Sequence, residues 1–292
     1  MMPFRKILFP VDFSDAALAM APTVNEMAQR FGAGVTVLHA FDLAPDYILI
    51  PRFEDSGENT PTAIPYTLEF LKLRREREQR LEDFSHAQFA AVQTKLRIED
   101  GEPATVIDWV AQQENSDLIM MPTRGLGKFR RLLLGSVTAK VLHDVECPVL
   151  TSAHESSPAV TSSTGYRSII CAVGLSAHSE AALRLTGVLA QTYGAKICLL
   201  HIDEFAEDGA ISSVEEMRDA FDAACGMDSR KALNISVRVL ADAIPEGIRR
   251  VVLDEAADLV IVGRGQAGAG ISCAWSHLYA IIREAPCPVL SV

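Results

Sequence analysis

The chain has 292 residues, 49% hydrophobic and 22% charged, which excludes a disordered, collagen-like or low-complexity polypeptide and leaves room for two domains of ordinary size. Its 27 Lys and Arg against 38 Asp and Glu give a net charge of −11, which argues against broad nucleic-acid binding through a basic face. No apolar run approaches the ~20 residues of a membrane helix. Residues Met1 to Lys6 lead straight into an apolar strand without a hydrophobic leader, so the expected location is the cytoplasm, with no membrane partner.

In chain order, Arg5 to Val11 is a short apolar run suited to a strand buried on both faces. Ser14 and Asp15 offer N-cap chemistry for a helix that runs to about Phe31 and is closed by Gly32 and Gly34. Pro22 inside it marks either a kink or a late helix start. Val35 to Ala40 is the second strand. The stretch from Phe41 to Pro65 carries four prolines and no periodicity. A charge-rich helix follows from about Thr67 to Ala91, and its alternating signs (Arg74-Arg75-Glu76-Arg77-Glu78) read as a solvated face. Lys95 to Ile98 is a strand, Gly101-Glu102-Pro103 opens a helix to about Gln113, and Leu118 to Met121 is the fourth strand. A glycine-containing loop leads to a helix from Ser136 to about His143, and Pro148 to Thr151 is the last strand.

The order then repeats. Phe4 to Ser14 aligns with Tyr166 to Ser176 at an offset of 162, and Leu38-His39 aligns with Leu200-His201 at the same offset. Cys147-Pro148-Val149-Leu150 aligns with Cys287-Pro288-Val289-Leu290 at an offset of 140, so the first half holds 22 extra residues, placed in the proline-rich stretch. The Ser-, Thr- and Pro-rich segment 154–165 reads as a linker between a first domain, 1–153, and a second, 166–292. Residues 1–153 hold 16 basic and 21 acidic groups and the remainder 11 and 17, so the average hides no basic tail. Strands alternating with helices predict a parallel α/β sheet with right-handed crossovers in each half. The apolar last strands of the two halves are the expected contact of an internal pseudo-dimer. Six cysteines without a C-x-x-C pair read as small buried hydrophobes or, alternatively, a redox or metal site. His39 and His201 end matching strands without a repeating ligand cluster and read as structural.

Two motifs carry chemistry. Val11-Asp12-Phe13-Ser14 lies at the carboxyl end of the first strand, where ligands of open α/β sheets bind. Asp12 there either accepts hydrogen bonds from a ribose or an adenine amine, or caps the next helix. The second motif, Pro122 to Ser136, follows the fourth strand and opens a helix. Gly125 permits close backbone approach, Gly135-Ser136 sits where free N–H groups and the helix dipole favour an anion, and Arg124, Lys128, Arg130 and Arg131 supply four cations. The stretch is neither a Walker A loop nor a G-x-G-x-x-G fingerprint. An exposed basic loop with a helix cap is the other reading.

These residues carry a resemblance. Ile7 to Ser14, Val37-Leu38-His39, Thr123 to Ser136 and Glu146 to Leu150 resemble the universal stress protein family, with two such domains in tandem. The family's nucleotide signature is Gly, two residues, Gly, nine residues, Gly, then Ser or Thr; here Pro122, Gly125, Gly135 and Ser136 stand at those places, so only the first glycine is missing. The resemblance implies an α/β fold of two Rossmann-like domains, each a five-stranded parallel sheet flanked by helices, and ATP or another adenine nucleotide, with magnesium accompanying it, bound in the first half without catalysis. Asp12 would contact the adenosine, Ala40 would lie against the adenine, and Met121 and Pro122 would border base and ribose. Arg124, Gly125, Gly135, Ser136 and Val137 would hold the phosphates. Proline at 122 removes one backbone donor, which the charge of Arg124 could offset.

The second half departs further. Gly174 replaces Asp12, the loop Gly263 to Ser276 carries one cation, Arg264, and Trp275 stands where Gly135 does. That half reads as a structural partner. Beyond the nucleotide, the expected partners are a homodimer mate and an unidentified protein. The rival functional reading is a nucleotide-independent interaction or scaffold protein of the same fold. ATP hydrolysis, if any, would be slow, because no paired carboxylates or positioned base are evident.

Overall fold

The computed structural model describes residues 3–42, 49–50, 62–63, 68–124, 134–153, 165–174, 179–203, 210–226, 233–264 and 271–292. In the first half, β1 (Lys6–Pro10), α1 (Asp15–Phe31) and β2 (Gly34–Phe41) are followed by the two-residue strands β3 (Leu49–Ile50) and β4 (Thr62–Ala63), which pair only with each other. Then come α2 (Leu68–Gln88), β5 (Thr94–Asp100), α3 (Pro103–Glu114), β6 (Leu118–Met121), α4 (Ser136–Asp144) and β7 (Val149–Thr151). The second half runs β8 (Ser168–Ala172), α5 (Glu180–Tyr193), β9 (Lys196–Ile202), α6 (Ala210–Cys225), β10 (Ile235–Leu240), α7 (Ile244–Asp254), β11 (Leu259–Val262), α8 (Ile271–Glu284) and β12 (Val289–Ser291). The helix of residues 15–31 starts at its Ser14 cap, whose hydroxyl accepts from the Ala17 amide, and continues through Pro22 to the left-handed Gly32. A late start at Pro22 is thereby excluded.

The sequence expectation of two five-stranded sheets needs refinement. The strands form one ten-stranded sheet in the order β10-β9-β8-β11-β12-β7-β6-β1-β2-β5, parallel within each half and antiparallel where β7 meets β12. The seam is short and closely matched. Leu150 faces Leu290, the buried Thr151 hydroxyl donates to the Val289 carbonyl at 3.2 Å, and the buried Ser291 hydroxyl donates to the Val149 carbonyl at 3.3 Å. The last strands thus join the halves, as their apolar character suggested. Pairing them removes two edges that would otherwise expose unsatisfied backbone groups.

Side chains alternate across the sheet and build one core on each face. On one face Ile7, Phe9, Leu118, Met120 and Leu150 pack under α1 and α2, and their counterparts pack under α5 and α6. The buried stripe of α1, Ala17, Met20, Ala21, Val24, Met27, Ala28 and Phe31, follows the helical period. On the other face Leu8, Ile119, Met121 and Val149 pack under α3 and α4, with Ile170, Val260, Val262 and Val289 under α7 and α8. Each core runs through both halves.

The repeat is also visible in polar detail. Asp117 accepts from the Arg5 and Lys6 amides at 2.8 and 3.1 Å, and Asp258 accepts from the Arg167 and Ser168 amides at the same two distances. His39 Nδ1 lies 2.8 Å from the Val11 carbonyl oxygen, and His201 Nδ1 lies 3.0 Å from that of Val173. Both histidines are therefore structural ties between the first two strands of a half. Burial raises the Cys171 and Cys287 thiols to about 12 and the Cys147 thiol to about 11, which keeps them protonated and unreactive.

Candidate functional site

The first-half site is built at the carboxyl ends of β1, β2 and β6, which lie side by side because β1 pairs with both neighbours. Asp12 stands one residue beyond Val11, whose amide still donates to the Leu38 carbonyl at 2.8 Å. The chain then turns sharply. Phe13 has φ of 58°, a strained backbone for an aromatic residue. Asp12 Oδ1 accepts from the Ser14 amide at 3.0 Å and holds that turn. The carboxylate thus buttresses the entry to α1, whose cap is Ser14, while standing at the strand end.

Packing keeps the strained turn in place. The Phe13 ring lies 4.6 Å from His39 and 6.1 Å from Phe84, with the Arg80 guanidinium 4.4 Å above it. Phe41 continues the stack, and the Arg77 guanidinium lies 4.5 Å over its ring. Two cations of the α2 charge run therefore lie over rings, where they gain cation–π attraction. Exposed pairs such as Arg74 with Glu78 occupy the rest of that face. His39 is held below its ordinary pKa, first by burial and then by the nearby Arg77 and Arg80 charges, against the opposing pull of the Val11 carbonyl.

Met121 belongs to the core beneath α3 and α4, and the partly buried Ala40 and Val137 pack against that core. Pro122 is buried at the end of β6, and its carbonyl accepts from the Thr138 hydroxyl at 3.1 Å. The Gly135 amide donates to the Thr123 carbonyl at 2.9 Å, which pins the two ends of the loop together. A Cβ at Gly135 would stand 3.3 Å from that same carbonyl oxygen and 3.7 Å from Arg124 Cα, so close backbone approach explains the glycine. Gly135 also contributes no side chain to cap α4. The anion-binding capacity of this helix start accordingly rests on the Ser136 and Val137 amides, not on Gly135 itself. Gly125, Lys128, Arg130 and Arg131 lie outside the described residues, as do linker residues 154–164.

In the second half the equivalent strand ends, β8, β9 and β11, border a cavity of about 260 Å³. Gly174 lies where Asp12 does, Ile202 where Ala40 does, and Val262 and Gly263 where Met121 and Pro122 do. Arg264, the one cation of this loop, points across the seam. Its guanidinium donates to the carbonyls of Leu142, Val145, Glu146 and Cys147 at the carboxyl end of α4. From α8, the Tyr279 hydroxyl donates to the Ala139 carbonyl at 3.0 Å. The sequence offered no sign of these roles. The identity of Asp117 and Asp258 at matching places in the repeat was the one available signal for the clips they form. Among the described residues no group of three or more His, Cys, Asp or Glu is placed to hold a metal ion, and no helix is long and apolar enough to cross a membrane.

Comparison with known proteins accounts for the duplication. Residues 3–152 and 165–292 each match the universal stress protein family. A universal stress protein of Thermus aquaticus is 35% identical over 147 residues, which cover 50% of this chain and 97% of that protein. One from Methanocaldococcus jannaschii is 31% identical over 148 residues, covering 50% of this chain and 81% of the relative. The crystal structure of a universal stress protein from Archaeoglobus fulgidus superposes along nearly the whole length, with a TM-score of 0.73 at 20% identity, covering 98% of this chain and 95% of that one, a likeness of fold. With both halves matched and one sheet running through them, the chain belongs to the universal stress protein family as a tandem of two such domains.

Proposed function

We propose that the first half, residues 1–153, binds ATP or another adenine nucleotide without catalysing a reaction on it, and that the complex serves a regulatory role in a stress response. The observation that carries this reading is the convergence of Asp12, Ala40, Met121 and the uncapped start of α4 at adjacent strand ends. Ala40, Met121 and Val137 offer an apolar floor for a base. Asp12 offers acceptors for ribose hydroxyls. The Ser136 and Val137 amides, with the helix dipole and Arg124, suit phosphate oxygens. A magnesium ion would arrive with the triphosphate. The second half, residues 166–292, lacks the carboxylate and spends its loop cation on the interface, so it takes no nucleotide.

A second reading, a nucleotide-independent scaffold, is favoured by the Pro122 and Gly135 backbone. Proline has no amide to offer, and the Gly135 amide is already engaged. Calorimetric titration of nucleotide-stripped protein with ATP separates the two. The nucleotide reading expects one site per chain, weakened about tenfold by Asp12→Ala, the loss of one or two hydrogen bonds. Absence of binding supports the scaffold, and two sites per chain would overturn the unequal roles of the halves.

A further inference from the structure

We propose that the second half binds a small, uncharged, largely apolar molecule about the size of two fused rings, in the cavity at the carboxyl ends of β8, β9 and β11. Its wall includes Leu200, Ile202, Ile244, Ile248, Val262 and Ile281, and its volume is about 260 Å³. A closed cavity of ~150 Å³ lined by aliphatic and aromatic side chains takes up benzene, whereas this one is partly open to solvent and carries polar groups on its wall. The space here is larger by about one further ring.

The polar side chains on this wall are Ser179, Arg264 and His277, set among a larger number of aliphatic ones. The Ser179 hydroxyl donates to the Gly174 carbonyl at 2.6 Å. The Arg264 guanidinium is taken up by carbonyls at the end of α4. Gly174 brings no carboxylate. An anionic ligand would leave water for a largely aliphatic wall whose one guanidinium is already taken up by carbonyls, at a large desolvation cost. An apolar ligand incurs no such cost and removes branched aliphatic surface from water. The site is independent of the nucleotide reading, since it uses none of the first-half residues named there.

The test uses the full chain, with 2-naphthol as probe and isoleucine δ1-methyl NMR as readout. Saturable shifts are expected at Ile202, Ile244, Ile248 and Ile281, with one site per chain and a Kd on the order of 0.1 mM for a ligand of this size. Ile244→Asp places a carboxylate on the wall at the first residue of α7, where the helix dipole tolerates it. This change should weaken 2-naphthol at least tenfold. Should that variant fail to fold, Ile202→Phe, which fills the cavity, should do the same. The anionic analogue 2-naphthalenesulfonate should bind at least tenfold more weakly than 2-naphthol, and saturating ATP should leave 2-naphthol binding unchanged. Four results would each overturn the proposal: no saturable shift up to the probe's solubility limit, shifts centred elsewhere, equal affinity for the sulfonate, or competition by ATP.

Discussion

Arg264→Ala tests how the two halves are held together. The guanidinium reaches across the seam to four carbonyls, those of Leu142, Val145, Glu146 and Cys147, with distances of 3.4 Å to Leu142 and 3.2 Å to Glu146. Leu142 lies in the last turn of α4 and Val145 is its C-cap, the region where a helix leaves carbonyls without intrahelical partners. A hydrogen bond to a charged group contributes about 1.5–3 kcal/mol net. Four bonds sharing one guanidinium do not add, and water will reach part of the vacated space, so the expected loss is about 3 kcal/mol. For 292 residues, an unfolding entropy of about 2.1 cal/mol/K per residue converts this into a drop in Tm of roughly 5 °C. Arg264→Lys, with one donor group in place of a fork, should recover no more than about half. Differential scanning calorimetry and urea unfolding give the two numbers. A loss under about 0.5 kcal/mol, or a lysine variant equal to the native protein, would show that these contacts do not hold the seam.

His39 should make stability fall as pH is lowered. The unfolded residue titrates near 6.5 and the native one below it, so below 6.5 the unfolded chain takes up a proton that the native protein refuses. The loss is at most about 1.4 kcal/mol per pH unit, develops from about 6.5 down to the native pKa, and should shrink in His39→Gln on urea unfolding across that window; a native protein that gains stability relative to the variant there refutes the assignment. Gly135→Ala should cost about 1 kcal/mol by pushing its Cβ against the Thr123 carbonyl, and should weaken any ATP binding several-fold by opening the loop ends. An unchanged unfolding midpoint would show that the loop yields freely. Tyr193→Phe removes the 3.0 Å bond from the hydroxyl to Glu26 across the seam and should cost about 1–2 kcal/mol. The double variant with Glu26→Gln should lose less than the two single losses together, and strict additivity would deny the pairing.

Much of this protein was legible before folding because it is written in local, repeating terms. Apolar runs of four to eight residues between capping residues such as Ser14 and Gly32 carry the strand and helix assignments, since those preferences act within a few residues. Repetition at offsets of 162 and 140 carries the duplication, the strand-end position singles out Asp12, the glycines and cations single out the loop to Ser136, and Ala40 enters only through the family resemblance. The apolar last strands pointed to the seam. Tertiary structure alone decided what depends on partners distant in sequence. The two sheets became one because Leu150 and Leu290 meet in antiparallel register, a pairing no local pattern encodes. Arg264, a loop cation in the sequence, is an interface clamp because the end of α4 lies within its reach. Arg77 and Arg80, which alternate with glutamates like any solvated face, are drawn onto Phe41 and Phe13 by the packing of α2 against the sheet. Charge and periodicity report what a residue can do; which of its options is used follows from the groups that the fold places within a few ångströms of it.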